Sequence, residues 1–206
     1  MRLEIERTDD IVKRVYDGEL PYNTAISVSP GTEVVYVKDG SVAAVVGEGV
    51  SEINSAGALK AVFGKCKVKQ QLYSVNRGKQ FIVLWGTGGI GYRNKKGELK
   101  KAGANGSYRF AVDNSSALLR RFGYPEIITE SDVKEQLKGI VTGAVKEAVV
   151  AAIDKDGYNV GGRTGAVQKK AQEKLEKIFA DYGLFLDALL IEEVTDTYGE
   201  TGNEEE

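Results

Sequence analysis

The hydrophobic period of this chain changes at Asp113, and that change fixes its fold class before any motif is considered. Up to Val112 apolar residues tend to alternate with polar ones, which is the period of a strand. Beyond Asp113 they recur every three to four residues, which is the period of a helix. Strands first and helices afterwards describe an α+β chain, not the alternating order of a parallel α/β sheet.

The strand half has one strong local signal. Glu33–Lys38, then Asp39-Gly40, then Ser41–Val46 reads as a hairpin, because Asp-Gly supplies the positive φ values of a type I′ turn. A short strand, Thr24–Val28, precedes it between Leu20-Pro21-Tyr22-Asn23 and Ser29-Pro30-Gly31. Lys67–Val75 and Gln80–Trp85 read as a second pair joined across Asn76–Lys79. In Ser107–Val112 the residues Tyr108, Phe110 and Val112 share one face, with Ser107 and Arg109 on the other. Gly91–Gly103 has the Lys/Arg-rich character of an exposed hairpin tip, and local rules place another turn at Asn105-Gly106.

In the helical half, Ser115–Arg121 ends near Gly123, with Pro125 beyond it. Thr129-Glu-Ser-Asp132 has the form of a capping box, and a long helix follows to about Asp154. Its expected buried stripe is Val133, Leu137, Ile140, Ala144, Ala148 and Ala151. A third helix, about Ala166–Tyr182, turns Val167, Ala171, Leu175, Ile178 and Tyr182 inward and ends on Gly183. Leu184–Val194, nearly all apolar, is expected to be a strand buried on both faces. From Thr195 onward the acids have no apolar anchor beyond Tyr198, so disorder is expected.

Composition removes whole classes of chemistry. With 206 residues, 42% hydrophobic and 28% charged, there is mass for one domain or two small subdomains sharing a core. Histidine is absent, which excludes Ser-His-Asp, Cys-His and histidine-metal sites. One cysteine, Cys66, excludes an internal disulfide and a cysteine zinc site. The first ten residues carry acids and no apolar run, unlike a secretion signal, and no segment approaches the ~18 apolar residues of a membrane span. A soluble intracellular protein is the expectation.

The net charge of −2 conceals a strong segregation: residues 65–101 hold ten bases and one acid. Lys65, Lys67 and Lys69 fall on one face of the expected strand, opposite Cys66 and Val68, and Arg93, Lys95, Lys96, Lys100 and Lys101 crown the hairpin. These eight residues form the candidate site, a contact for an anionic surface of lipid headgroups or nucleic acid. The plain alternative is a solvated lysine-rich face.

Other motifs carry less. Gly86-Thr-Gly88-Gly-Ile-Gly91 matches a dinucleotide fingerprint, but no amphipathic helix follows it, so a strand-leaving loop is the better reading. Asp154-Lys-Asp156-Gly157 lacks the closing glutamate of a calcium loop, and Gly161–Gly165 lacks the lysine of a phosphate loop. Cys66 has basic neighbours but no base to activate it. No catalytic, cofactor-binding or metal residue is expected.

Several stretches in order resemble the stomatin/prohibitin/flotillin (SPFH) family, and most closely its soluble bacterial branch labelled virion core protein-like. They are Asp17–Pro21 with Ala25–Val28, Val34–Gly40, Val45–Gly49, Tyr73–Asn76, Leu84–Thr87, Ala104–Phe110, and Tyr182-Gly183 with the strand after it. The resemblance implies a curved, mainly antiparallel sheet with helices packed against it, over residues 16–196, strand-rich to 113 and helix-rich from 114. Residues 1–15 would then be an extension and 197–206 an acidic tail. It also implies that Asn105-Gly106 lies inside a continuous strand, with Gly106 permitting close backbone approach.

The implied role is a non-enzymatic scaffold that self-associates as a homo-oligomer and recruits partners, membrane proteins or anionic lipids, with no cofactor and no small-molecule substrate. Its place would be the cytoplasm, with peripheral attachment to the inner face of the membrane left open. Two rivals remain: a nucleic-acid-binding module using residues 65–101, and a nucleotide-dependent enzyme using Gly86–Gly91.

Overall fold

The structure, a computed structural model, describes residues 1–21, 24–53, 69–93, 96–156 and 164–197. Strands β1 (Arg2–Ile5), β2 (Val12–Gly18), β3 (Thr24–Val28), β4 (Thr32–Lys38), β5 (Ser41–Val46), β6 (Gly49–Ile53), β7 (Gln70–Asn76), β8 (Phe81–Gly86), β9 (Ile90–Arg93) and β10 (Leu99–Val112) come first. Helix α1 (Ser115–Phe122), strand β11 (Ile127–Ile128), helices α2 (Glu130–Asp156) and α3 (Thr164–Asp181), and strand β12 (Leu184–Thr197) follow. The α+β class and the antiparallel bias hold, β1 on β3 being the parallel exception among the registers assigned. The chain divides into two units, residues 1–80 with 111–133 and 180–185, and residues 81–110 with 134–179 and 186–206.

In the first unit β11-β2-β7-β4-β5 form a five-stranded sheet and β1-β3-β6 a three-stranded one. The Asp39-Gly40 hairpin is present, with φ of 49° and 75° and Lys38 opposite Ser41. β7 lies at the centre of its sheet with every residue buried. Buried polar groups on such a strand must find partners. Tyr36 Oη donates to Gln70 Oε1 at 2.8 Å, and Asn76 Nδ2 donates to the Thr8 carbonyl at 2.7 Å. Ile5, Leu20, Ile26, Val28, Val34, Tyr36 and Leu72 make an apolar core. The expected pairing of the 67–75 and 80–85 strands does not form: β7 pairs with β2 and β4, and β8 with β10. The four-residue link leads from one sheet into another.

In the second unit β10 is the long central strand of the order β12-β10-β8, with β9 also on β10. Asn105 and Gly106 pair with Gly86 and Trp85 inside β10, so the local turn expectation fails and the family resemblance was right. Gly106 is required there, because an added Cβ would collide with the Leu190 carbonyl oxygen. Tyr108 and Phe110 of β10 pack against Phe179 of α3 at ring-centroid distances of 5.6 and 6.3 Å. The stripe of α2 is Val133, Leu137, Val141, Ala144, Val145, Ala148, Val149 and Ile153; Val141 takes the place expected for Ile140, Val149 and Ile153 flank the expected Ala151, and Ile140 and Ala151 are only partly buried.

β12 departs from expectation in two ways. It is only partly covered: Leu184, Leu186, Leu189 and Ile191 are buried, while Phe185 and Leu190 are 57% and 52% exposed. It also runs on through Thr195 to Thr197, where disorder was expected.

Helix ends follow the sequence signals. Asn114 Oδ1 accepts from the Ala117 N–H at 3.0 Å, and Gly123 closes α1 at φ 72°. At the start of α2, Thr129 Oγ1 accepts from the Asp132 N–H at 3.2 Å, while Asp132 Oδ2 accepts from the Thr129 N–H at 2.7 Å and the Thr129 hydroxyl at 2.6 Å. These bonds hold the Asp132 carboxyl below its usual range. Gly183 ends α3 at φ 73°.

Candidate functional site

The candidate site is built on the β9–β10 hairpin. Leu99 lies opposite Arg93, Lys100 opposite Tyr92, Lys101 opposite Gly91 and Ala102 opposite Ile90. Cross-strand partners share a face, so the hairpin has two distinct sides. Ile90, Tyr92 and Ala102 are buried on one side, which ties the hairpin down. Arg93, Leu99 and Lys101 stand exposed on the other.

The tip is closed by a hydrogen bond at 2.8 Å from the Arg93 guanidinium to the Gly97 carbonyl. Gly97 has φ 81°, a backbone state that suits glycine. Lys96 is exposed at the tip. Lys100 keeps its stem largely covered on the buried side, and its Nζ lies 3.9 Å from Glu98. The structure therefore gathers Arg93, Lys96, Lys100 and Lys101 on one hairpin, with Glu98 as the acid among them.

The other sequence candidates separate from this group. Lys69 belongs to the first unit, where its Nζ lies 3.8 Å from Asp17. Asp17 also accepts from the Gln71 amide at 2.9 Å and lies 3.4 Å from Arg14. The Gln71 bond is the largest of the effects that hold the Asp17 carboxyl below its ordinary value, with Lys69 and Arg14 adding to it against partial desolvation. Lys65, Lys67, Lys95 and Cys66 lie outside the described residues. So does the glycine-rich stretch 157–163.

The segment Gly86–Gly91 opens no helix. β8 ends at Gly86, the Thr87 N–H donates to the Ala104 carbonyl at 2.9 Å, and β9 begins at Ile90. Among the described residues no group of three or more Cys, Asp or Glu is placed to hold a metal ion, and no helix is long and apolar enough to cross a membrane.

Exposed aliphatic residues are the part of this surface that charge arithmetic missed. Leu99 is 68% exposed at the hairpin tip, and Leu84 and Ile82 of β8 are 69% and 60% exposed on the outward side of the same sheet. A signal was available in Phe81–Trp85, where every position is apolar although only one face is buried. Farther along this side Arg109 of β10 pairs with Asp187 of β12.

With fold and site in view, comparison places the chain. The family model described as SPFH domain-Band 7 family matches residues 13–197. The chain belongs to that family. No curated protein sequence matches closely enough to add a named relative.

Proposed function

We propose that this SPFH-family chain is a non-enzymatic scaffold or adaptor that self-associates and recruits partners at a membrane, with the basic hairpin as its contact with anionic headgroups. The observation that carries the reading is the β9–β10 hairpin, which buries Ile90, Tyr92 and Ala102 on one side and leaves Arg93, Lys96 and Lys101 exposed. Each basic side chain close to an anionic surface is worth ~1 kcal/mol. Peripheral attachment from the cytoplasm would follow.

The test is sedimentation with anionic liposomes. Reversing Lys95, Lys96, Lys100 and Lys101 to glutamate abolishes sedimentation and leaves the circular dichroism spectrum unchanged. Binding of the wild type falls as salt rises, because the Debye length is ~8 Å at physiological ionic strength. Wild-type protein that ignores anionic liposomes at low salt refutes the membrane contact. Steep salt-dependent binding to DNA or RNA instead favours the nucleic-acid reading. That reading has less support, since Trp85, Tyr92, Tyr108 and Phe110 are buried and give bases no stacking platform.

A further inference from the structure

We infer that the β9–β10 hairpin enters the headgroup layer of an anionic bilayer, with Leu99 as the inserted side chain and Arg93, Lys96 and Lys101 at the phosphates around it. This rests on the proposed membrane contact and adds to it an apolar anchor that charge alone does not require.

A single exposed leucine is ordinary on a protein surface. The setting of Leu99 is not. It is 68% exposed on the outward side of the hairpin, directly opposite Arg93 and two residues from Lys101. Cross-strand partners stand ~5 Å apart and same-face neighbours along a strand ~7 Å apart, so an aliphatic side chain sits between two cations. Lys96 occupies the turn beside them.

The opposite side of the hairpin cannot turn outward, because it buries Ile90, Tyr92 and Ala102. The strands that carry Arg93, Leu99 and Lys101 are thus anchored through their other face, and these three side chains keep the outward side. An anionic bilayer answers both properties together. Its headgroups match the positive tip, in which Glu98 is already drawn to Lys100 at 3.9 Å, and its acyl boundary receives the leucine. A strand of nucleic acid or an acidic protein surface would use the cations and leave Leu99 without a partner.

The experiment uses vesicles of phosphatidylcholine with 30% phosphatidylserine, at low and high salt, with heparin as a lipid-free polyanion. Wild type, Leu99→Ser, Leu99→Phe and the glutamate variant of Lys96 and Lys101 are compared, with thermal midpoints measured for each. Leu99→Ser is expected to weaken vesicle affinity by ~10-fold, from the loss of one buried aliphatic side chain, while heparin binding and the midpoint stay unchanged. Leu99→Phe restores vesicle binding.

Three outcomes overturn the inference. Leu99→Ser binding vesicles like the wild type, while the glutamate variant fails, removes insertion and leaves the electrostatic contact standing. Equal loss on vesicles and heparin would mean that Leu99 only arranges the cations. A wild type that binds no vesicles at low salt removes the inference and the membrane contact together.

Discussion

Replacing Gly106 with alanine tests the packing of the second unit at its tightest point. The added Cβ would overlap the Leu190 carbonyl oxygen and lie 3.0 Å from both the Leu190 carbonyl carbon and Cζ2 of Trp85. The nearest obstacle is backbone, so β10 and β12 must part locally. Losing one or two ladder hydrogen bonds costs about 1 kcal/mol each. Overpacking adds ~1–3 kcal/mol, and the entropic advantage of alanine over glycine in a strand returns ~0.5–1 kcal/mol. The net expectation is a loss of ~2–4 kcal/mol, or roughly 5–15 °C in thermal midpoint for a chain of this size. Trp85, the single tryptophan, lies beside the substitution and reports unfolding by its fluorescence in urea. Gly91→Ala is the control: it lies in the same sheet, has no positive φ and meets nothing within 4 Å. A Gly106→Ala protein within ~0.5 kcal/mol of both wild type and Gly91→Ala would refute the close approach of β10 to β12.

Three further outcomes follow from the geometry and a fourth from the proposed self-association. Gly183→Ala, at φ 73° with its Cβ 2.7 Å from the Leu118 nitrogen, should cost at least ~2 kcal/mol in urea unfolding. Glu33→Gln weakens the ion pair with Arg77 at 3.3 Å and the bond from the Ser115 hydroxyl, for a loss of ~1–2 kcal/mol. Asp132→Asn removes the charged half of the α2 cap, and its effect has a definite pH sign. A carboxyl held below its ordinary value adds stability that is fully present above ~pH 4 and disappears as pH falls through the folded-state value, so the difference of ~1 kcal/mol between wild type and variant at pH 6 should shrink as pH falls below ~4. Light scattering at high concentration should give a mass above 22.3 kDa, and a strict monomer counts against self-association.

What could be read from the sequence was local. Asp39-Gly40, the Thr129–Asp132 box and Gly123 each specify a backbone state through a few adjacent residues, and all three stand in the structure. Strand partnership is not local. Nothing adjacent to Asn76–Lys79 says that β7 must fill the gap between β2 and β4. β2 escaped notice because a bulge between Arg14 and Tyr16 breaks its alternation. In α2 the neighbours Ile140 and Val141 are both apolar, so periodicity alone could not choose the buried one. Asn105-Gly106 obeys hairpin chemistry yet lies in mid-strand, since the demand for a residue without a side chain comes from Leu190 on another strand. For the site, clustering of charge located the hairpin. Which of its apolar residues would remain outside depended on packing that charge does not encode.

Backbone hydrogen exchange of the wild-type protein, with and without vesicles of phosphatidylcholine and phosphatidylserine, tests the central claim most directly. Exchange reports each segment by itself and needs no substitution. The account predicts added protection concentrated in Ile90–Ala102 at low salt, diminished at high salt, and little change in β2, β4 and β7. Unchanged exchange in Ile90–Ala102 under conditions where the protein sediments with the vesicles would contradict it.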